Sequence, residues 1–83
     1  MRSDVEILVF SAPWCAACKT LKNKLQMKGV GYEEIDVDDP ENESLAVAYK
    51  IRSLPTTIGL KDGEIVLSVM GAGAIQDILE LME

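Results

Sequence analysis

A nearly continuous apolar run, Val5-Glu6-Ile7-Leu8-Val9-Phe10, leads through a short break into Cys15-Ala16-Ala17-Cys18, where a helical pattern begins. The run is rich in branched residues and suits a central strand buried on both faces. Ser11-Ala12-Pro13 ends it. In this context the cysteine spacing signals dithiol redox chemistry. Trp14 to Cys18 holds both of the chain's cysteines, so that chemistry is confined to one place.

The remaining bulk properties mainly exclude. A chain of 83 residues is one domain, near the lower size limit for an unaided core. Its 48% apolar content and patterned segments argue for a compact fold rather than disorder. No apolar stretch approaches the roughly 20 residues that span a bilayer. Met1-Arg2-Ser3-Asp4 runs straight into the first strand and has no leader-like core or cleavage site, so a cytoplasmic protein without membrane attachment is expected. A net charge of −6 disfavours nucleic acid as a partner. Lys19, Lys22, Lys24 and Lys28 follow the cysteines, and seven of the fourteen acids lie between Glu33 and Glu43. Both clusters read as solvated faces.

Further along, Cys18, Leu21 and Leu25 recur at helical spacing, and Gly29 and Gly31 end that helix. Tyr32 to Val37 reads as a second strand. Asp38-Asp39-Pro40 is a turn, and Pro40 is suited to open a short helix whose apolar side is Leu45, Ala46, Ala48 and Tyr49. Thr56 to Leu60 and Glu64 to Met70 are strands joined by Lys61-Asp62-Gly63, a strong hairpin signal. Ile75, Ile78, Leu79 and Met82 form one stripe of a last helix. The order is βαβαββα, an α/β fold. The first two strands should be parallel with a right-handed crossover, and the last two antiparallel.

The cysteines differ by position. Cys15, at a helix start, faces unpaired N–H groups and the positive end of the helix dipole, which favour a thiolate. Cys18 lies almost one turn further in, on the stripe of Leu21 and Leu25, and should be more buried and more fully protonated. Cys15 is therefore expected to attack a substrate disulfide and Cys18 to resolve the mixed disulfide. A bridge closing so short a loop would stabilise the fold by only roughly 2 kcal/mol, which favours redox cycling over a structural staple. Buried structural thiols are the bland alternative. Metal binding is the other one, but a single Cys-x-x-Cys in a chain without histidine supplies two of the four ligands zinc usually takes. No metal and no cofactor are expected.

A second signal is Ser53-Leu54-Pro55-Thr56, a proline opening a strand. Together the segments resemble the thioredoxin superfamily over nearly the whole chain. Leu8 to Lys19 resembles its active-site strand and helix. Tyr49 to Thr56 resembles the stretch around its cis-proline, Lys61-Asp62-Gly63-Glu64 its hairpin, and Met70-Gly71-Ala72 its Val-Gly-Ala turn. The resemblance implies a minimal thioredoxin fold, a four-stranded mixed sheet flanked by three helices. It implies a cis Leu54–Pro55 bond beside the dithiol. It also implies a substrate groove drawn from Trp14, Ala16, Ala17, Leu54, Pro55, Gly71 and Ala72.

The departures are specific. Ala16-Ala17 stands where thioredoxins usually have Gly-Pro and glutaredoxins Pro-Tyr. Val9 stands at the position of the thioredoxins' buried Asp, and Glu34 at that of its accompanying Lys. Glu34, Asp36 or water then remain as proton acceptors for Cys18. The length suits a glutaredoxin, whereas Trp14, Leu54 and Gly71-Ala72 favour a thioredoxin. The expectation is a monomeric oxidoreductase that reduces disulfide-containing proteins and is itself reduced by a thioredoxin-reductase-like flavoprotein. Reduction by glutathione, in the manner of a glutaredoxin, is the second choice. A binding module that docks a partner through Trp14, Pro55 and Gly71, with incidental redox activity, is the alternative from another class.

Overall fold

The computed structural model describes residues 4–82. The expectation about a leader at Met1, Arg2 and Ser3 lies outside the described residues. The chain runs β1 (Val5–Ser11), α1 (Ala16–Met27), β2 (Glu33–Asp36), α2 (Glu43–Ala48), β3 (Thr56–Lys61), β4 (Glu64–Met70) and α3 (Ile75–Met82). The sheet order is β2-β1-β3-β4, with β1 parallel to β2 and antiparallel to β3, and β4 antiparallel to β3.

The apolar run places β1 at the centre. Val5, Ile7 and Val9 turn to one face, where they meet Leu21 and Leu25 of α1 and Ile78 and Met82 of α3. Leu8 and Phe10 turn to the other, where they join Ile35 and Ile58 under Tyr49, Ile51 and Leu54. Both faces of one strand are thus spent on core, which explains its near-absence of polar residues.

Local chemistry sets the ends of the elements. Gly29, at φ 71, follows Lys28 and takes the left-handed conformation that closes α1, and the Val30 N–H reaches back to the Leu25 carbonyl at 3.0 Å. Asp62 and Gly63, at φ 54 and 82, form the two-residue turn whose twist matches the β3–β4 hairpin.

Two expectations shift. β2 covers only Glu33–Asp36, an edge segment paired along Leu8 to Ser11 and, among the described residues, without a partner strand on its far side. Pro40 opens a 3₁₀ turn, Pro40–Asn42, and α2 itself is six residues starting at Glu43. The short helix buries little: Leu45 and Ala48 are exposed, while Ala46 and Tyr49 are half-buried. Tyr49, the residue capping α2, helps cover this core face, with its ring tilted against Phe10 at 5.7 Å.

Candidate active site

Cys15 caps α1 in an extended conformation (φ −91, ψ 106), and its sulfur accepts the Cys18 N–H at 3.1 Å. The break before it is held by a 3.1 Å bond from the Cys15 N–H to the Ala12 carbonyl. The two cysteines form a disulfide with Cα atoms 5.3 Å apart. Cys15 retains 7% exposure and Cys18 none. Ala12 and both cysteines pack against Val37 and Leu54, so the pair sits where the end of β1, the end of β2 and the approach to β3 converge.

Trp14 is 70% exposed and anchored at its polar end, where the indole N–H donates to the Asp38 carboxylate at 2.8 Å. Parallel pairing makes this possible. Ser11 lies beside Asp36, and the Val37 N–H bonds the Ser11 carbonyl at 2.9 Å, which brings the acidic turn after β2 to the strand–helix break. Asp36 accepts the Asp38 N–H at 2.9 Å and shapes that turn. The Asp38 anchor was missed in the sequence; its only trace there is the acidic cluster that reads as a solvated face.

Next to the disulfide lies a cavity of about 330 Å³ lined by Trp14, Cys15, Val37, Ile51, Arg52 and Leu54, among others. Of the residues expected in a groove, Trp14 and Leu54 meet Cys15 there. Pro55 is fully buried behind Leu54, the bond between them is cis, and the Pro55 carbonyl accepts the Gly71 N–H at 2.8 Å. Gly71 and Ala72 are half-buried on that side, and Ala16 and Ala17 are exposed on the first turn of α1. Neither pair lines the cavity, nor does Pro55.

Val9 and Glu34, two positions that depart from the family pattern, form no buried acid–base pair. Val9 is fully buried among Ile7, Leu21, Leu25 and Ala74. Opposite it in register, the buried Thr57 hydroxyl has no hydrogen-bond partner among the described residues. Glu34 is bound by Lys22 and by the Ser11 hydroxyl at 2.7 Å. Those two hydrogen bonds, Lys22 first, hold its carboxyl below the usual carboxylate range. A carboxylate so held is a poor proton acceptor near neutrality. Among the described residues no group of three or more His, Cys, Asp or Glu is placed to hold a metal ion, and no helix is long and apolar enough to cross a membrane.

The thioredoxin family model matches residues 1–83. The chain belongs to the thioredoxin family. The thioredoxin of Staphylococcus aureus is 34% identical over 89 aligned residues, which span 100% of this chain and 84% of that protein. Among solved structures, the germline-specific thioredoxin Deadhead of Drosophila melanogaster superposes with a TM-score of 0.82 at 27% identity, covering 98% of this chain and 84% of its own. A thioredoxin variant from Halobacterium salinarum gives 0.77 at 35% identity, covering 95% and 74%. The four-stranded sheet with three helices is the minimal thioredoxin fold. With a Cys15–Cys18 disulfide in a chain of this family, the protein is a protein dithiol–disulfide oxidoreductase. Its substrates are disulfides in other proteins.

Proposed function

We propose that Cys15 is the attacking thiol and Cys18 the resolving one. The observation that carries this is the placement of Cys15 at the cap of α1, with residual exposure, while Cys18 is fully enclosed behind it. The Cys15 thiolate attacks one sulfur of a substrate disulfide, forming a mixed disulfide and expelling the other sulfur as a thiolate. Cys18, deprotonated, then attacks the Cys15 sulfur. The substrate's second thiolate leaves, and the Cys15–Cys18 disulfide remains. The orphan N–H groups at the start of α1 favour the Cys15 thiolate in the first step. With Glu34 committed to Lys22 and Ser11, Asp36 or water is left as the acceptor for the Cys18 proton.

The substrate polypeptide docks over Trp14, Ala16-Ala17, Leu54-Pro55 and Gly71-Ala72. Trp14 is held by Asp38 as one wall, and Leu54 with the Pro55–Gly71 bond forms the other. The protein acts as a monomer in the cytoplasm, a setting in which disulfides are transient and catalytic. A flavoprotein of the thioredoxin-reductase type regenerates the dithiol.

Insulin with dithiothreitol tests the activity. The wild-type protein should accelerate disulfide reduction, and Cys15→Ser should fall to the uncatalysed rate. Equal rates for the two would remove the proposal. Turnover with thioredoxin reductase against turnover with glutathione and its reductase identifies the reductant.

A further inference from the structure

Met70 ends β4 with 66% of its surface exposed, on the face opposite Val69, which turns into the core. The Ser53 hydroxyl donates to its sulfur at 3.0 Å, and Ser53 also lines the cavity beside Cys15. Met70 pairs in register with Thr56, and the next residue, Gly71, bonds the Pro55 carbonyl. An exposed methionine is therefore tied by side chain and by backbone to the segment that forms one wall of the docking region.

We propose that Met70 is a peroxide-sensitive modification site, and that its oxidation to the sulfoxide weakens docking of polypeptides beside Cys15. The inference rests on the docking reading above. The chemistry is a two-electron oxygen transfer. A sulfur lone pair attacks one oxygen of hydrogen peroxide, the O–O bond breaks, an S–O bond forms, and the peroxide leaves as water. The product replaces a soft apolar surface with a polar, chiral one. The Ser53 hydroxyl that now faces the sulfur is a ready donor to the new oxygen. A substrate covering this rim must then desolvate a strong acceptor, which opposes docking without touching the sulfur exchange at Cys15 and Cys18.

Two other methionines provide internal comparisons. Met82 is buried and shielded. Met27 is 84% exposed, yet it ends α1 beside Lys28, about 17 Å along the helix from Ala16. Oxidation at Met27 should leave docking unchanged.

The experiment treats the disulfide form with hydrogen peroxide, so that no thiol is open to attack, and verifies Met70 sulfoxide by peptide mass spectrometry. After peroxide removal, insulin reduction is measured for wild type, Met70→Leu and Met27→Leu, each against its untreated self. Wild type and Met27→Leu should show KM raised roughly fivefold with kcat held. Met70→Leu should show no change on treatment, and methionine sulfoxide reductases should restore the wild type. An equal rise in Met70→Leu, or an unchanged KM with Met70 fully oxidised, overturns the inference. A binding arm uses Cys15→Ser/Cys18→Ser protein and fluorescein-labelled, reduced and alkylated insulin B chain. If the untreated wild type turns over no insulin, the oxidoreductase reading fails and this arm still decides. Weaker binding after treatment supports the inference; equal binding, or none before treatment, overturns it.

Discussion

Single side chains around the dithiol set the local chemistry of the site. Glu34 is the clearest case, because its carboxyl is held low by Lys22 and then by Ser11. A carboxyl with a depressed folded value stabilises the fold above its unfolded value, and that contribution is lost as pH falls through the folded value. The window therefore lies below about 4.5, the ordinary value. Glu34 is 44% exposed at its side chain, so solvent screening limits the contribution to under about 1 kcal/mol. Denaturant unfolding should show wild type losing an increment over Glu34→Gln on acidification through that window. Parallel stability curves for the two proteins would contradict the assignment. The Ser11–Glu34–Lys22 contact and the Trp14–Asp38 bond were not legible in the sequence. Both depend on the register that sets Ser11 beside Asp36, and no local pattern encodes register between strands separated by a helix.

Elements written in local chemistry were legible, and those defined by tertiary contact were not. β1 was evident because an unbroken branched run has few other uses, and the β3–β4 hairpin because Asp62-Gly63 supplies two residues at positive φ. The pattern from Tyr32 to Val37 overruns β2 by a residue at each end: as an edge strand it ends where pairing with β1 ends, whatever its residue types. α2 starts at Glu43 rather than at Pro40, because a proline first position serves a 3₁₀ turn as readily as an α-helix. Packing between elements also explains Gly59. A Cβ there would meet the Leu67 Cβ and Leu81 Cδ2 at 2.9 Å, so β3 is glycine where β4 and α3 close on it. The Leu67 contact is near backbone and cannot swing aside. Gly59→Ala should therefore destabilise by about 1–3 kcal/mol in chemical denaturation, whereas an unchanged midpoint would refute the close approach.

The whole molecule is a minimal frame that brings one helix cap to the end of one buried strand. Residues of β1 enter the core on both faces of the sheet, and Cys15 and Cys18 follow just beyond its end, with the exposed Trp14 beside them. The dithiol site was legible because strand, cysteine pair and helix are adjacent in the chain. The cavity beside it was not, since Val37, Ile51 and Arg52 reach it only through folding. The central claim is the division of labour between the two sulfurs. Its most direct measurement is mass spectrometry of reduced Cys18→Ser protein mixed with insulin. The account predicts a stable mixed disulfide mapped to Cys15 and none with Cys15→Ser. A mixed disulfide that accumulates on Cys18 in the Cys15→Ser protein, with none on Cys15 in its counterpart, would contradict it.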